Sequence, residues 1–170
     1  MLILGLDPGS LHTGYGLVER NGSTLKLVDA GRISCPREAA LPARLARLAA
    51  GLQEMVDRRP PDLAVVESPF HGMNARTLIV LAQARGALLA VLGLRGIETR
   101  EYSPAEVKSA VTGNGRADKD QVARMVRLLL AADAADTAGW ASDATDALAV
   151  AICCAQRLRL DRLREGGRLC

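Results

Sequence analysis

Four acidic residues stand where chemistry could be done. Asp7 closes the apolar run Leu2-Ile3-Leu4-Gly5-Leu6, and Glu67 closes a second one, Leu63-Ala64-Val65-Val66. Asp143 and Asp146 lie three apart, on one face of a helical turn. A carboxylate at a rigid strand end suits a metal ion, although Asp also caps turns, and the Asp7 stretch alone does not separate the two. The Asp143/Asp146 pair has an alternative reading as well, since the helix dipole favours acids in a first turn by about 0.3–1 kcal/mol each.

Together the four acids say more than each alone. If the strands ending in Asp7 and Glu67 are parallel neighbours, their carboxylates meet at the C-terminal edge of the sheet, where ligands of α/β proteins bind. Like charges so gathered repel and destabilise a fold unless a cation compensates. Hard oxygen donors suit Mg²⁺ or Mn²⁺. Two such ions about 3.5–4 Å apart activate a water and stabilise a leaving oxygen in phosphodiester cleavage. The pattern points to metal-assisted phosphodiester hydrolysis.

The elements that must position these acids follow from turn and helix signals. Pro8-Gly9-Ser10 turns the chain into a second strand from Thr13, and Asn21-Gly22 turns it into a third, Leu25 to Ser34. Leu45, Leu48, Leu52 and Val56 mark one face of a helix over 41–58, which Pro60-Pro61 ends. A long helix over about 74–94 is rich in small residues (Ala82, Ala84, Gly86, Ala87, Ala90), which suit close approach of its own sheet or of a second subunit. A fifth strand spans 97–102. Ser103-Pro104-Ala105-Glu106 starts a short helix that Gly113 stops, and another helix follows over 118–131. The last helix begins at Ser142 or Asp143 and reaches about Leu160.

The predicted order β-β-β-α-β-α-β-α-α-α shows no internal repeat. It reads as one α/β domain over 1–160 with a flexible Arg-rich tail over 161–170. Its mixed five-stranded sheet has three antiparallel strands, then parallel ones, flanked by helices. No apolar run reads as a membrane span, and no signal peptide is evident, so a cytoplasmic location and no membrane are expected. Cys35, Cys153, Cys154 and Cys170 have neither the spacing of a zinc site nor that of a disulfide framework. The formal charge of +3 comes entirely from residues 157–170, which hold five arginines and two acids. The rest is balanced at seventeen of each sign, so nucleic-acid binding would need local positive surface.

The strand order resembles the ribonuclease H-like fold, and the motifs resemble RuvC-type Holliday junction resolvases over roughly residues 2–156. The matching residues are Leu4-Gly5-Leu6-Asp7-Pro8-Gly9-Ser10 with Thr13-Gly14-Tyr15-Gly16, then Glu67 with Phe70, and Gln83-Ala84-Arg85-Gly86. Tyr102, Val107-Lys108 and Asp143-Ala144-Thr145-Asp146-Ala147-Leu148-Ala149 complete the set. The resemblance implies a homodimer that nicks opposed strands of a four-way DNA junction and leaves 5′-phosphate and 3′-hydroxyl ends, in recombination and repair. It implies Asp7, Glu67, Asp143 and Asp146 as catalytic ligands of two Mg²⁺ ions, with Mn²⁺ as a substitute, and Lys108 and Lys119 as DNA contacts. RuvA and RuvB are the implied protein partners.

Phe70, one of only four aromatic residues, either wedges against a base at an opened junction or packs over the sheet end. Arg76 lies within reach of a phosphate. Tyr15 and Tyr102 read as packing residues, and His12 and His71 are not assigned as ligands. Trp140 has no counterpart in the family pattern. Three rivals remain: half of an actin-like ATPase fold, an RNA-directed nuclease of the same fold, and a non-catalytic DNA-binding dimer. The 170 residues do not supply the second half that the first of these needs.

Overall fold

The computed structural model describes residues 1–68, 74–131 and 140–166, with backbone only from 159 onward. Five strands form one sheet: β1 (Leu2–Asp7), β2 (His12–Asn21), β3 (Thr24–Ser34), β4 (Leu63–Glu67) and β5 (Thr99–Tyr102). Its order is β3-β2-β1-β4-β5, with β1 antiparallel to β2, β2 antiparallel to β3, and β1, β4 and β5 parallel. This is the expected mixed sheet. Five helices are described: α1 (Leu41–Arg58), α2 (Ala75–Leu94), α3 (Pro104–Thr112), α4 (Lys119–Leu129) and α5 (Ser142–Gly166).

Local chemistry explains most boundaries. Ser103 and Glu106 form a reciprocal capping box at the start of α3, and Gly113 ends it with φ of 78°. Asp118 and Gln121 form the same box at the start of α4. The β2–β3 turn is centred on Gly22-Ser23, one residue later than expected, because Asn21 still pairs with Thr24 and Gly22 takes the positive φ. The last helix continues to Gly166, past the expected end near Leu160.

The sheet buries both faces. On one, Leu4, Leu6, Leu17, Ala64 and Val66 pack against α1 and α2. On the other, Ile3, Val18, Leu63 and Val65 pack against α3, α4 and α5. The alternation of β1 and β4 therefore aims Asp7 and Glu67 toward the second face, the one that α5 covers.

Helix α5 lies unusually low on that face. A methyl group on Gly5 would run into the Ala147 carbonyl, and one on Gly14 into the Asp143 carbonyl. At Gly16 it would stand 2.7 Å from the Leu148 side chain. Gly5 pairs with Gly16 and Asp7 pairs with Gly14, so these glycines form one bare patch of backbone beside the acid.

Helix α2 corrects the expectation that no stretch has the length and hydropathy of a membrane span. Its mean hydropathy is 1.9 over an 18-residue window, with only 22% of that window buried. One side packs into the core through Ala84, Leu88, Val91 and Leu92, and Arg85 ion-pairs with Glu101 at 2.6 Å. It is a sheet-packing helix with an exposed apolar side.

Filling the bare patch should dislodge α5. Gly5→Ala is expected to lower stability by about 1–3 kcal/mol, as overpacking does, and thermal melting would read it. A variant melting with the wild type would show that the close approach of α5 is not needed.

Candidate metal centre and active-site cleft

Strand register brings the first two acids together. Leu6 pairs with Val66, so Asp7 and Glu67 follow as the next residues on adjacent parallel strands. Asp146, one turn into α5, joins them in a cleft of about 380 Å³. Pro104, Val107 and Lys108 of α3, Lys119 and Val122 of α4, and Ala149 of α5 complete its wall. The apolar part of that wall lowers the local polarity, which strengthens the charge interactions beside it.

The electrostatics record the crowding. Burial, then the charges of Asp146 and Asp143, push the Asp7 carboxyl up to about 6, against relief from Lys119. Burial, then Asp7 and Asp146, push Glu67 up to about 7, with Lys119 and Lys108 opposing. Neither carboxylate has a side-chain hydrogen bond among the described residues that would balance its charge.

The acids on α5 are each held by a basic group. Lys119 Nζ donates to Asp146 Oδ2 at 3.1 Å, and that bond raises the lysine's own pKa. Arg32 Nη1 lies 3.6 Å from Asp143 Oδ2. Among the described residues no three acids stand close enough to grip an ion as they are. Asp7, Glu67 and Asp146 line the cleft, while Asp143 sits above Gly14 toward β3, near enough to act on the Asp7 charge.

This donor set fits divalent cations. Asp7 and Glu67 are half-buried, unbalanced oxygen donors at neighbouring strand ends, Asp146 lines the same cleft, and Asp143 lies near enough to act on the Asp7 charge.

Among the other expected site residues, Lys108 and Lys119 line the cleft. Arg76 does not: it lines a separate cavity with Ser10 and Arg44. Phe70 and His71 lie outside the described residues, as does the alanine-rich approach to Asp143 over 132–139. Trp140 packs partly buried against the α5-side core. Tyr102 packs there too, under the Arg157 guanidinium at 5.8 Å, and Tyr15 packs on the opposite face. Sequence reasoning missed Arg32. Its only signal is register: it pairs across from Gly14, which pairs across from Asp7.

Comparison with known proteins gives this geometry a family. The model of crossover junction endodeoxyribonuclease RuvC matches residues 3–154. The chain belongs to the RuvC family. A RuvC of Chloroflexus aggregans is 46% identical over 153 residues, covering 90% of this chain and 92% of its own length. A RuvC of Solidesulfovibrio magneticus is 43% identical over 162 residues, 95% and 94% of the two chains. The structure of T. thermophilus RuvC in complex with a Holliday junction substrate superposes with a TM-score of 0.87 at 30% identity, covering 95% and 96%. Like other RuvC-family proteins, this one is a metal-dependent endodeoxyribonuclease with a ribonuclease H-like fold.

The raised carboxyls carry a sign that can be checked. Between about pH 4 and about pH 7 the folded protein binds more protons at Asp7 and Glu67 than the unfolded chain does, so stability falls as pH rises through that window. In metal-free buffer at about pH 8, Asp7→Asn and Glu67→Gln should each be more stable than the wild type, by ~1–3 kcal/mol. The advantage should fade toward about pH 4, and Mg²⁺ should raise the melting point of the wild type more than that of either variant. Denaturation across pH would read both, and equal stability at about pH 8 would refute the crowding.

Proposed function

We propose that the protein resolves four-way (Holliday) DNA junctions by paired, symmetric nicks, hydrolysing one phosphodiester per subunit with two Mg²⁺ ions. The observation that carries this reading is the cleft itself, with Asp7, Glu67 and Asp146 facing Lys108 and Lys119 at the C-terminal sheet edge. Its family membership, and the junction bound by the T. thermophilus protein, support the choice of substrate.

Asp7, Glu67, Asp143 and Asp146 would hold the ions, with Asp7 between the strand acid and the helix acids. Two divalent ions, when bound, supply an activated water and stabilisation of the leaving oxygen. The chain's own residues do the rest. Lys119 exchanges Asp146 for a phosphate oxygen and places positive charge where negative charge develops, with Lys108 on the same wall. Val107, Val122 and Ala149 keep bulk water from that exchange. Mn²⁺ meets the same donor set.

Paired nicking needs two sites, and we propose a homodimer formed through the exposed side of α2. Ile79 is 59% exposed there, and Ala82, Gly86 and Ala90 let a second helix approach. Residues 1–160 would act as one nuclease domain, in the cytoplasm, downstream of the branch-migration proteins RuvA and RuvB. Phe70, in the segment joining Glu67 to α2, would contact bases at the opened junction.

A synthetic four-way junction, a linear duplex and an RNA–DNA hybrid, each with Mg²⁺ or Mn²⁺, separate the readings. Paired ligatable nicks are expected on the junction, absent in Asp7→Asn and slowed about 10²-fold in Lys119→Gln, the scale of losing one charge-stabilising group. Cleavage of the hybrid with the junction ignored would give the RNA-directed alternative. Tight junction binding without cleavage under either metal would give the non-catalytic one.

A further inference from the structure

A second cavity, of about 310 Å³, opens among Ser10, Arg44, Arg76, Thr77, Val80 and Leu81. Ser10 belongs to the turn that follows Asp7. Arg44 comes from α1, and Arg76 and Thr77 from the first turn of α2. Those two helices cover the face of the sheet opposite α5, so this cavity and the acidic cleft lie to either side of the β1 end.

Its charge is uncompensated. None of the lining residues is acidic, and neither Arg44 nor Arg76 forms an ion pair among the described residues. Arg44 Nε is buried and donates to no acceptor among them. A buried N–H left without a partner is destabilising. Arg76 adds to the mismatch: α2 has no acid in its first turn and carries this cation there, against the helix dipole. Two guanidinium groups, two hydroxyls and the positive end of a 20-residue helix are instead what a phosphate requires.

We propose that Ser10, Arg44, Arg76 and Thr77 bind one backbone phosphate of the junction DNA, across the sheet edge from the metal-binding acids. The inference rests on the junction-cleavage reading and adds a second anchor to it. Ser10 is the third residue after Asp7, so their Cα atoms are at most about 11 Å apart. At about 3.4 Å of helix axis per phosphate on a strand, that spans roughly three nucleotides. The anchor fixes how far the strand is drawn into the cleft, and it reads no bases, since phosphate contacts position without specifying sequence.

The test is junction binding by the intact protein in chelator, so that affinity is read without cleavage, across a range of salt. Relative to the wild type, Arg44→Gln should make the slope of log affinity against log salt shallower by about 0.9, the loss of one phosphate contact. Arg44→Lys should largely restore it. A scan of neutral methylphosphonates along the junction strands should find one position, within a few nucleotides of the nick, that weakens the wild type but not Arg44→Gln.

Unchanged slope and affinity in an Arg44→Gln protein that melts normally would overturn the proposal, as would a scan with no such position. If Arg44→Gln fails to fold, Arg76→Gln carries the same two readouts, and indifference in both would overturn the proposal in the same way. A wild type that neither prefers nor cuts the junction overturns the functional reading and this one together, whereas a competent wild type with indifferent variants overturns this one alone.

Discussion

The active site depends on the contact between helix α5 and the bare backbone of β1 and β2. Asp143 and Asp146 can approach Asp7 only because Gly5, Gly14 and Gly16 present no side chains to the helix above them. With a side chain in that patch, the helix would have to stand off the sheet, and its acids with it. The interior is close-packed, so the displacement could not be absorbed elsewhere. Three glycines in the sheet thus set the position of two carboxylates on a helix far away in the chain.

That placement has an electrostatic cost, and the fold arranges cations around it. Desolvated acids at two adjacent strand ends resist ionisation, and the neighbouring helix acids add to the resistance. Lys119 and Arg32 stand against the helix acids from α4 and β3, on opposite sides of Asp7. A lysine that pairs with Asp146 while lining the cleft is placed to change partners when phosphate and divalent cations enter. The same crowding of charge that burdens the isolated protein is the feature prepared for substrate, and perturbed carboxyls of this kind cluster where function is built.

Much of this was legible in the sequence. Asp7 and Glu67 stood out because each ends an apolar run, and parallel pairing then places them side by side. The capping box at Ser103 and the stop at Gly113 fixed α3, and with it Lys108. What escaped depends on register and on distance in space. Arg32 meets Asp143 only because β3, β2 and β1 align Arg32, Gly14 and Asp7 in one row. The cavity around Arg44 joins residues from three separate segments, none of which carries a motif for it. Helix α2 departed in another way: no membrane-length apolar run was expected, yet this helix has that length and hydropathy with much of its apolar surface facing outward, and composition alone cannot say which side of a helix is covered. The glycines were visible as part of a motif, while their purpose, the close seating of α5, needed the packed structure.

If the crowded acids are a site for two divalent ions, the number and coupling of those ions must show it. The most direct test is the count and coupling of Mn²⁺ ions bound per chain with an uncleavable junction present, read by electron paramagnetic resonance. Two ions per chain, coupled as ions about 3.5–4 Å apart should be, and loss of that coupled signal in Asp7→Asn, is the predicted result. One uncoupled ion per chain, or a coupled pair that survives Asp7→Asn, would contradict it.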